Sequence, residues 1–165
     1  MKAAFFYGIL FATILFLWYC LEYLLGLHDT YIEYHAFVSY FFAVPVVVVM
    51  ASAVRHRKRQ LHGGEGVRFG TLFSFGFVVA LVASFVVVPV MYVFIQWVNP
   101  GFLDALAQHA IGAEGMDPSL ASRRFSIGGF LLQHAALILI VGAVAAFVIS
   151  VIMAAKRLSQ TVQTV

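Results

Sequence analysis

Few groups in this 165-residue chain can do acid–base or ligand chemistry: seven Asp and Glu, six His and one Cys. Three groupings matter. The octapeptide HDTYIEYH, residues 28–35, sets His28, Asp29, Glu33 and His35 close together, all of types that bind divalent metals. Glu22, Gln96, Gln133 and His134 interrupt otherwise apolar stretches, where a carboxylate and an imidazole could hold a cation or exchange a proton. The third grouping is RHRKRQLH, residues 55–62, whose Arg55, Arg57, Lys58 and Arg59 could grip an anionic phosphate.

Each grouping also has a plainer explanation. Thr30 and Glu33 carry the T-x-x-E spacing of a helix capping box, and Tyr31, Tyr34 and Tyr40 suit an interfacial aromatic belt, so the expectation at HDTYIEYH is no metal and no cofactor. Trp18, Tyr19 and Tyr23 surround Glu22, and His134 stands about two turns inside a long apolar helix. A solvated position at headgroup level is therefore expected for both. The sharper alternative is an outward-facing polar vestibule lined by Glu22, Gln96, Gln133 and His134. The basic cluster has no interleaved aromatic residue and runs into GGEG, which argues against nucleic acid. It fits an orienting role, with contact to lipid headgroups as an addition of about 1 kcal/mol per basic residue.

The elements that must position these residues are set by composition. With 63% apolar and 10% charged residues, against roughly 25% charged in a soluble domain, the chain carries more apolar surface than its own core can hide. The surplus must face lipid. Four apolar stretches, about 3–27, 34–54, 70–98 and 127–154, are long enough to span a bilayer, and each must be helical to satisfy its backbone in hydrocarbon. The expected fold is all-α: a four-helix transmembrane bundle forming a single integral membrane domain over 1–165. The lone Cys20 excludes an intramolecular disulfide.

Charge then orients the spans. With the N-terminus inside, eight basic residues (Lys2, Arg55, Arg57, Lys58, Arg59, Arg68, Lys156 and Arg157) share one side, and only Arg123 and Arg124 lie on the other. The bias predicts cytoplasmic termini for a multi-pass membrane protein.

Small residues recur at four-residue spacing in three spans: Ala4, Gly8, Ala12; Gly76, Ala80, Ser84; and Gly142, Ala146, Ser150, Ala154. Such rows let helices approach closely in lipid, so the cytoplasmic half is expected to be the tightest. The outer half, rich in Phe, Tyr and Trp, must be either splayed or filled by those rings. Pro45 and Pro89 invite kinks. YGILF at 7–11 echoes FGTLF at 69–73, a possible duplication of a two-helix unit. Between the third and fourth spans, Asn99 and Pro100 signal the start of a short amphipathic helix with Phe102, Leu103, Leu106 and Ala110 on one face and Gly112 at its end. Such a helix would lie along the membrane surface. Asp117 with Pro118 repeats the start signal before the fourth span.

RFGTLFSFGF at the opening of the third span, the NPGFLD exit and the long external loop before a last helix together resemble a bacterial integral-membrane family known only as domain of unknown function 4199. The resemblance covers chiefly residues 66–154. It implies a four-helix inner-membrane protein and brings no catalytic residue with it.

Nothing in the chain has the pattern of a nucleophile–base set, a phosphate loop or a metal signature. The expected role is a non-enzymatic accessory or scaffold subunit acting through helix association. Its partners are the bilayer and other membrane subunits or copies of itself, with no nucleic acid. A small oligomeric transporter or channel is the alternative, and a membrane enzyme using Glu22, His134 or His109 as acid or base stands third.

Overall fold

The computed structural model of the chain describes residues 1–61 and 68–155. The loop carrying GGEG, and Lys156 and Arg157 of the orienting charge pattern, lie outside the described residues. The architecture is all-α. Four segments are long and apolar enough to cross a membrane: Lys2–Leu24, Ile32–Gln60, Phe69–Val98 and Ile127–Ala154. They agree closely with the stretches expected from the sequence.

Helix α1 (Lys2–Leu24) forms the first segment. The second is α2 (Ile32–Ser39), a 3-10 turn (Tyr40–Phe42) and α3 (Ala43–Gln60). Pro45 explains the turn, because a proline ring clashes with the carbonyl four residues earlier, and Phe41 lies in the tightened stretch. The third segment is α4 (Phe69–Val93), with Pro89 inside it, extended by a π-helical turn (Phe94–Val98). Next follow α5 (Phe102–Gly112) and α6 (Pro118–Arg124), and α7 (Ile127–Ala155) forms the fourth segment.

Helix α4 is central and packs on α1, α3 and α7. Its contacts are as close as helices allow. A Cβ added at Gly76 would stand 2.7 Å from Ala146 Cβ, and one at Gly142 would stand 2.7 Å from Ala80 Cβ. At Gly8 the added atom would come within 2.5 Å of Val82 Cγ1. Ser84 ties the same seam by donating its hydroxyl to the carbonyl of Ala135 at 2.8 Å. The two glycines of the YGILF and FGTLF pentapeptides differ in setting, because Gly8 is wedged against α4 while Gly70 faces open space.

Toward the end of the bundle that carries α2 and α5, small residues give way to rings. Phe94 and Phe102 are fully buried, with Tyr19 and Phe130 beside them, so the outer half is filled rather than splayed. Helix α5 buries Phe102, Leu103 and Ala110 against the bundle and leaves Asp104 and Gln108 outward. It ends at Gly112 as expected, but it starts two residues later than Asn99 and Pro100 suggested, with Gly101 preceding its first turn. The reason is that Asn99 N–H closes the π-helical turn onto the Phe94 carbonyl at 2.9 Å, so Asn99 ends one helix rather than opening the next. Asp117 does cap α6, accepting from the Ser119 and Leu120 N–H groups at 2.8 and 3.2 Å.

Candidate functional site: a buried histidine–carboxylate centre

The site is built by the turn that ends α1. Gly26, at φ +72°, takes the left-handed conformation, Leu27 N–H reaches the Glu22 carbonyl and Gly26 N–H the Tyr23 carbonyl, both at 3.0 Å. This paired closure is the Schellman arrangement, which terminates a helix and folds the chain back over its last turn. His28, two residues on, therefore lands against the side chain of Glu22. Tyr31 N–H then bonds the Gly26 carbonyl at 2.8 Å, and α2 starts at Ile32.

The expected capping box does not form. Tyr31, not Thr30, precedes the first helical residue and makes no side-chain cap, while the Asp29 carboxylate accepts the Thr30 N–H. The Asp29 side chain thus occupies the Thr30 N–H that the Glu33 carboxylate of a box would have served. That hydrogen bond holds the exposed Asp29 carboxyl below its ordinary range.

Glu22 is 1% exposed, which overturns the solvated headgroup position expected for it. Its two oxygens are treated differently. Oε1 accepts from Trp18 Nε1 and from Ser39 Oγ, each at 2.7 Å. Oε2 faces two imidazoles, His28 Nε2 at 3.5 Å and His35 Nδ1 at 3.6 Å. The three ligand atoms of Glu22, His28 and His35 lie within 4.8 Å of one another. Three segments thus meet at one carboxylate: the end of α1, the returning turn and the inner face of α2.

Rings enclose the centre. The His28 ring lies 4.2 Å from that of Phe102 and 5.0 Å from that of His35, and its Nδ1 is 3.4 Å from the carboxamide of Asn99. The π-helical turn after α4 brings Asn99 there, and α5 supplies Phe102 as a roof.

The remaining expected site residues separate. His134 does not meet Glu22: its Nδ1–H donates to the Phe130 carbonyl at 3.1 Å, and its Nε2 pairs with the Tyr19 hydroxyl at 2.5 Å, while its ring stacks on Phe130 at 4.0 Å. Gln96 lines a separate cavity of about 510 Å³ with Asp104, Ser122 and Ser126. Gln133 is exposed. In the octapeptide, His28 and His35 come together while Asp29 and Glu33 stay outside. Spacing within the octapeptide missed the third partner, Glu22, which is one turn before the glycine. The usable signal was E-x-x-x-G-x-H, a carboxylate one helical turn before a helix-ending glycine with a histidine two residues past it.

At the C-terminal end of α3 the basic cluster divides. Arg55 and Arg59 are exposed. The Arg57 guanidinium instead leans over the Phe75 ring, and Lys58 Nζ donates to the Met153 carbonyl at 2.7 Å. Arg57 also borders a cavity of about 610 Å³ with Lys2, Gln60, Thr71 and Ser74.

With this geometry in place, the comparison with known families is informative about lineage. A family model described as protein of unknown function (DUF4199) matches residues 6–156, and the chain belongs to that family. No curated protein and no solved structure matches it.

Proposed function

We propose that this member of a family of unknown function is an accessory subunit of the bacterial inner membrane, with both termini cytoplasmic, that acts by binding a helix of another membrane chain and does not turn over a substrate. The observation that carries this reading is the two-sidedness of α2. Its inner side presents His35 and Ser39 to Glu22, and the hydrogen bond from the Ser39 hydroxyl pins the helix to α1. Its outer side leaves Tyr31, Tyr34, Phe37, Tyr40 and Phe41 more than half exposed.

Interfacial aromatic residues alone would suit headgroup contact. This stripe is deeper than that role requires. At 1.5 Å per residue, Tyr31 to Phe41 covers about 15 Å, roughly twice the headgroup region of one leaflet. The lower rings therefore stand among acyl chains, where a helix of a neighbouring protein offers them closer packing than lipid does. The chain's own small-residue rows are occupied by its own helices, so a partner must use another face.

Orientation is supported by the excess of Lys and Arg on one side. In that orientation Arg55 and Arg59 meet cytoplasmic headgroups, and Arg57 and Lys58 divide their contacts between lipid and bundle.

A small oligomeric transporter or channel is the second reading. The external cavity beside Gln96 and the exposed polar Gln133 favour it, since a copy-to-copy contact would bury such a glutamine. Native mass analysis after extraction in mild detergent separates the two. The accessory reading predicts a foreign membrane chain in fixed ratio that is lost from Phe37→Ala/Phe41→Ala protein. A discrete homo-oligomer would transfer the case to transport, and a bare monomer in native lipid would overturn both.

A further inference from the structure

We infer that Glu22, His28 and His35 form a binding site for a first-row divalent metal ion of the zinc type, on the external side of the membrane. The inference goes beyond the docking role of α2 and does not depend on it.

Geometry comes first. The two imidazole nitrogens stand 3.5 and 3.6 Å from Glu22 Oε2. Those separations are too long for good hydrogen bonds, which close at about 2.7–3.2 Å. They match the edge of a tetrahedron around a metal with ligand bonds of about 2.0–2.1 Å, which is about 3.3 Å. The third pair lies within 4.8 Å, so a modest rotation of one ring completes the set.

Unmet bonding points the same way. His35 Nδ1 is buried and has no hydrogen-bond partner among the described residues, although it faces the carboxylate. A lone pair aimed at a second set of lone pairs is unfavourable until a proton or a cation stands between them. A divalent ion satisfies all three groups at once.

The outer partners also have the form that metal sites use. The Glu22 oxygen turned away from the histidines is fixed by Trp18 and Ser39, leaving Oε2 free and oriented. The other nitrogen of His28, Nδ1, lies 3.4 Å from Asn99 Nδ2, so metal binding at Nε2 requires the carboxamide to turn its oxygen to that ring nitrogen, where it would accept the N–H. Two imidazoles with one carboxylate select zinc, cobalt or nickel over magnesium or calcium, which prefer all-oxygen sets. Three protein ligands leave a fourth position for water or an anion. The side chain of His35, 12% exposed, is the open edge through which an ion would enter.

The test uses the full chain in detergent, stripped with chelator and titrated with zinc(II) and in parallel with cobalt(II), whose visible spectrum reports coordination. One ion per chain and a four- or five-coordinate cobalt spectrum are expected. His35→Gln gives up no hydrogen bond of the apo protein, so it should melt like the parent yet bind metal more weakly by more than the roughly 10–100-fold that loss of an outer partner costs. Ser39→Ala should fall within that range, and His109→Ala, outside the cluster, should bind like the parent. X-ray absorption of the zinc-loaded parent needs no variant and should show two imidazoles. Substoichiometric binding, unchanged affinity in His35→Gln, or a zinc shell without imidazole would overturn the inference.

Discussion

The two halves of this bundle are held by opposite means. In the inner half, nearest the basic end of α3, the helices touch through Gly8, Gly76, Ala80, Gly142 and Ala146, and almost nothing polar is involved. In the outer half, which carries α2 and α5, the space between the helices is filled by Tyr19, Phe94, Phe102 and Phe130 around a carboxylate and its imidazoles. Within lipid, close packing of small residues needs no specific chemistry, whereas a buried charge requires every neighbour in place. The contrast locates rigidity at one end and chemistry at the other.

The largest effect should come from the inner half. Gly142→Leu forces a side chain where a bare Cβ already meets Ala80 at 2.7 Å. We expect a loss of about 3 kcal/mol or more, read as a fall in the unfolding midpoint, because helix axes must separate to admit it. Retention of the parental midpoint would show that the crossing is looser than described.

Next is the outer half. Glu22→Ala strands the Trp18 and Ser39 donors, and the expected cost is about 2–3 kcal/mol, with Glu22→Gln costing less because one acceptor oxygen survives. Equal midpoints for Glu22→Ala and the parent would mean that the centre does not stabilise the fold. Ser84→Ala sharpens the comparison from the other direction. It removes a single helix-to-helix hydrogen bond in an otherwise apolar seam, and about 0.6 kcal/mol is expected in the same unfolding assay.

The smallest effect lies outside both halves. Bonds from the Ser119 hydroxyl and the Leu120 and Ser119 N–H groups hold the Asp117 carboxyl below its ordinary range. A carboxyl lowered on folding stabilises the native state above its unfolded value, and that contribution disappears as pH falls through the folded one. Asp117→Ala should thus melt slightly below the parent near neutrality, and the gap should close in acid.

These differences also explain what the sequence made legible. The four spans and the small-residue rows depend on composition and on a spacing of four, both visible along the chain. Asp117 with Pro118 likewise announces a helix start locally. The centre was harder to see, because Glu22, His28, His35 and Ser39 are brought together by a reversal at Gly26, and Asn99 and Phe102 arrive from another part of the chain. Thr30 and Glu33 have the letters of a capping box, but the Asp29 carboxylate takes the Thr30 N–H and the helix starts one residue later. Glu22 stands near the end of α1 and His134 about two turns inside α7, and Tyr19 pairs with His134 while Glu22 turns toward the loop that follows α1. Depth is readable from position in a span, whereas direction depends on what packs around the helix.

The central claim is that Glu22 fixes the outer half of the second span against the bundle. It is tested most directly by a distance between two spin labels, one at Ala36 on the outward side of α2 and one at Gln108 on the roof helix, in a Cys20→Ser background. The account predicts one narrow distance distribution that broadens markedly when Glu22→Ala is added. An unchanged narrow distribution would contradict it, because α2 would then be held by its apolar contacts alone.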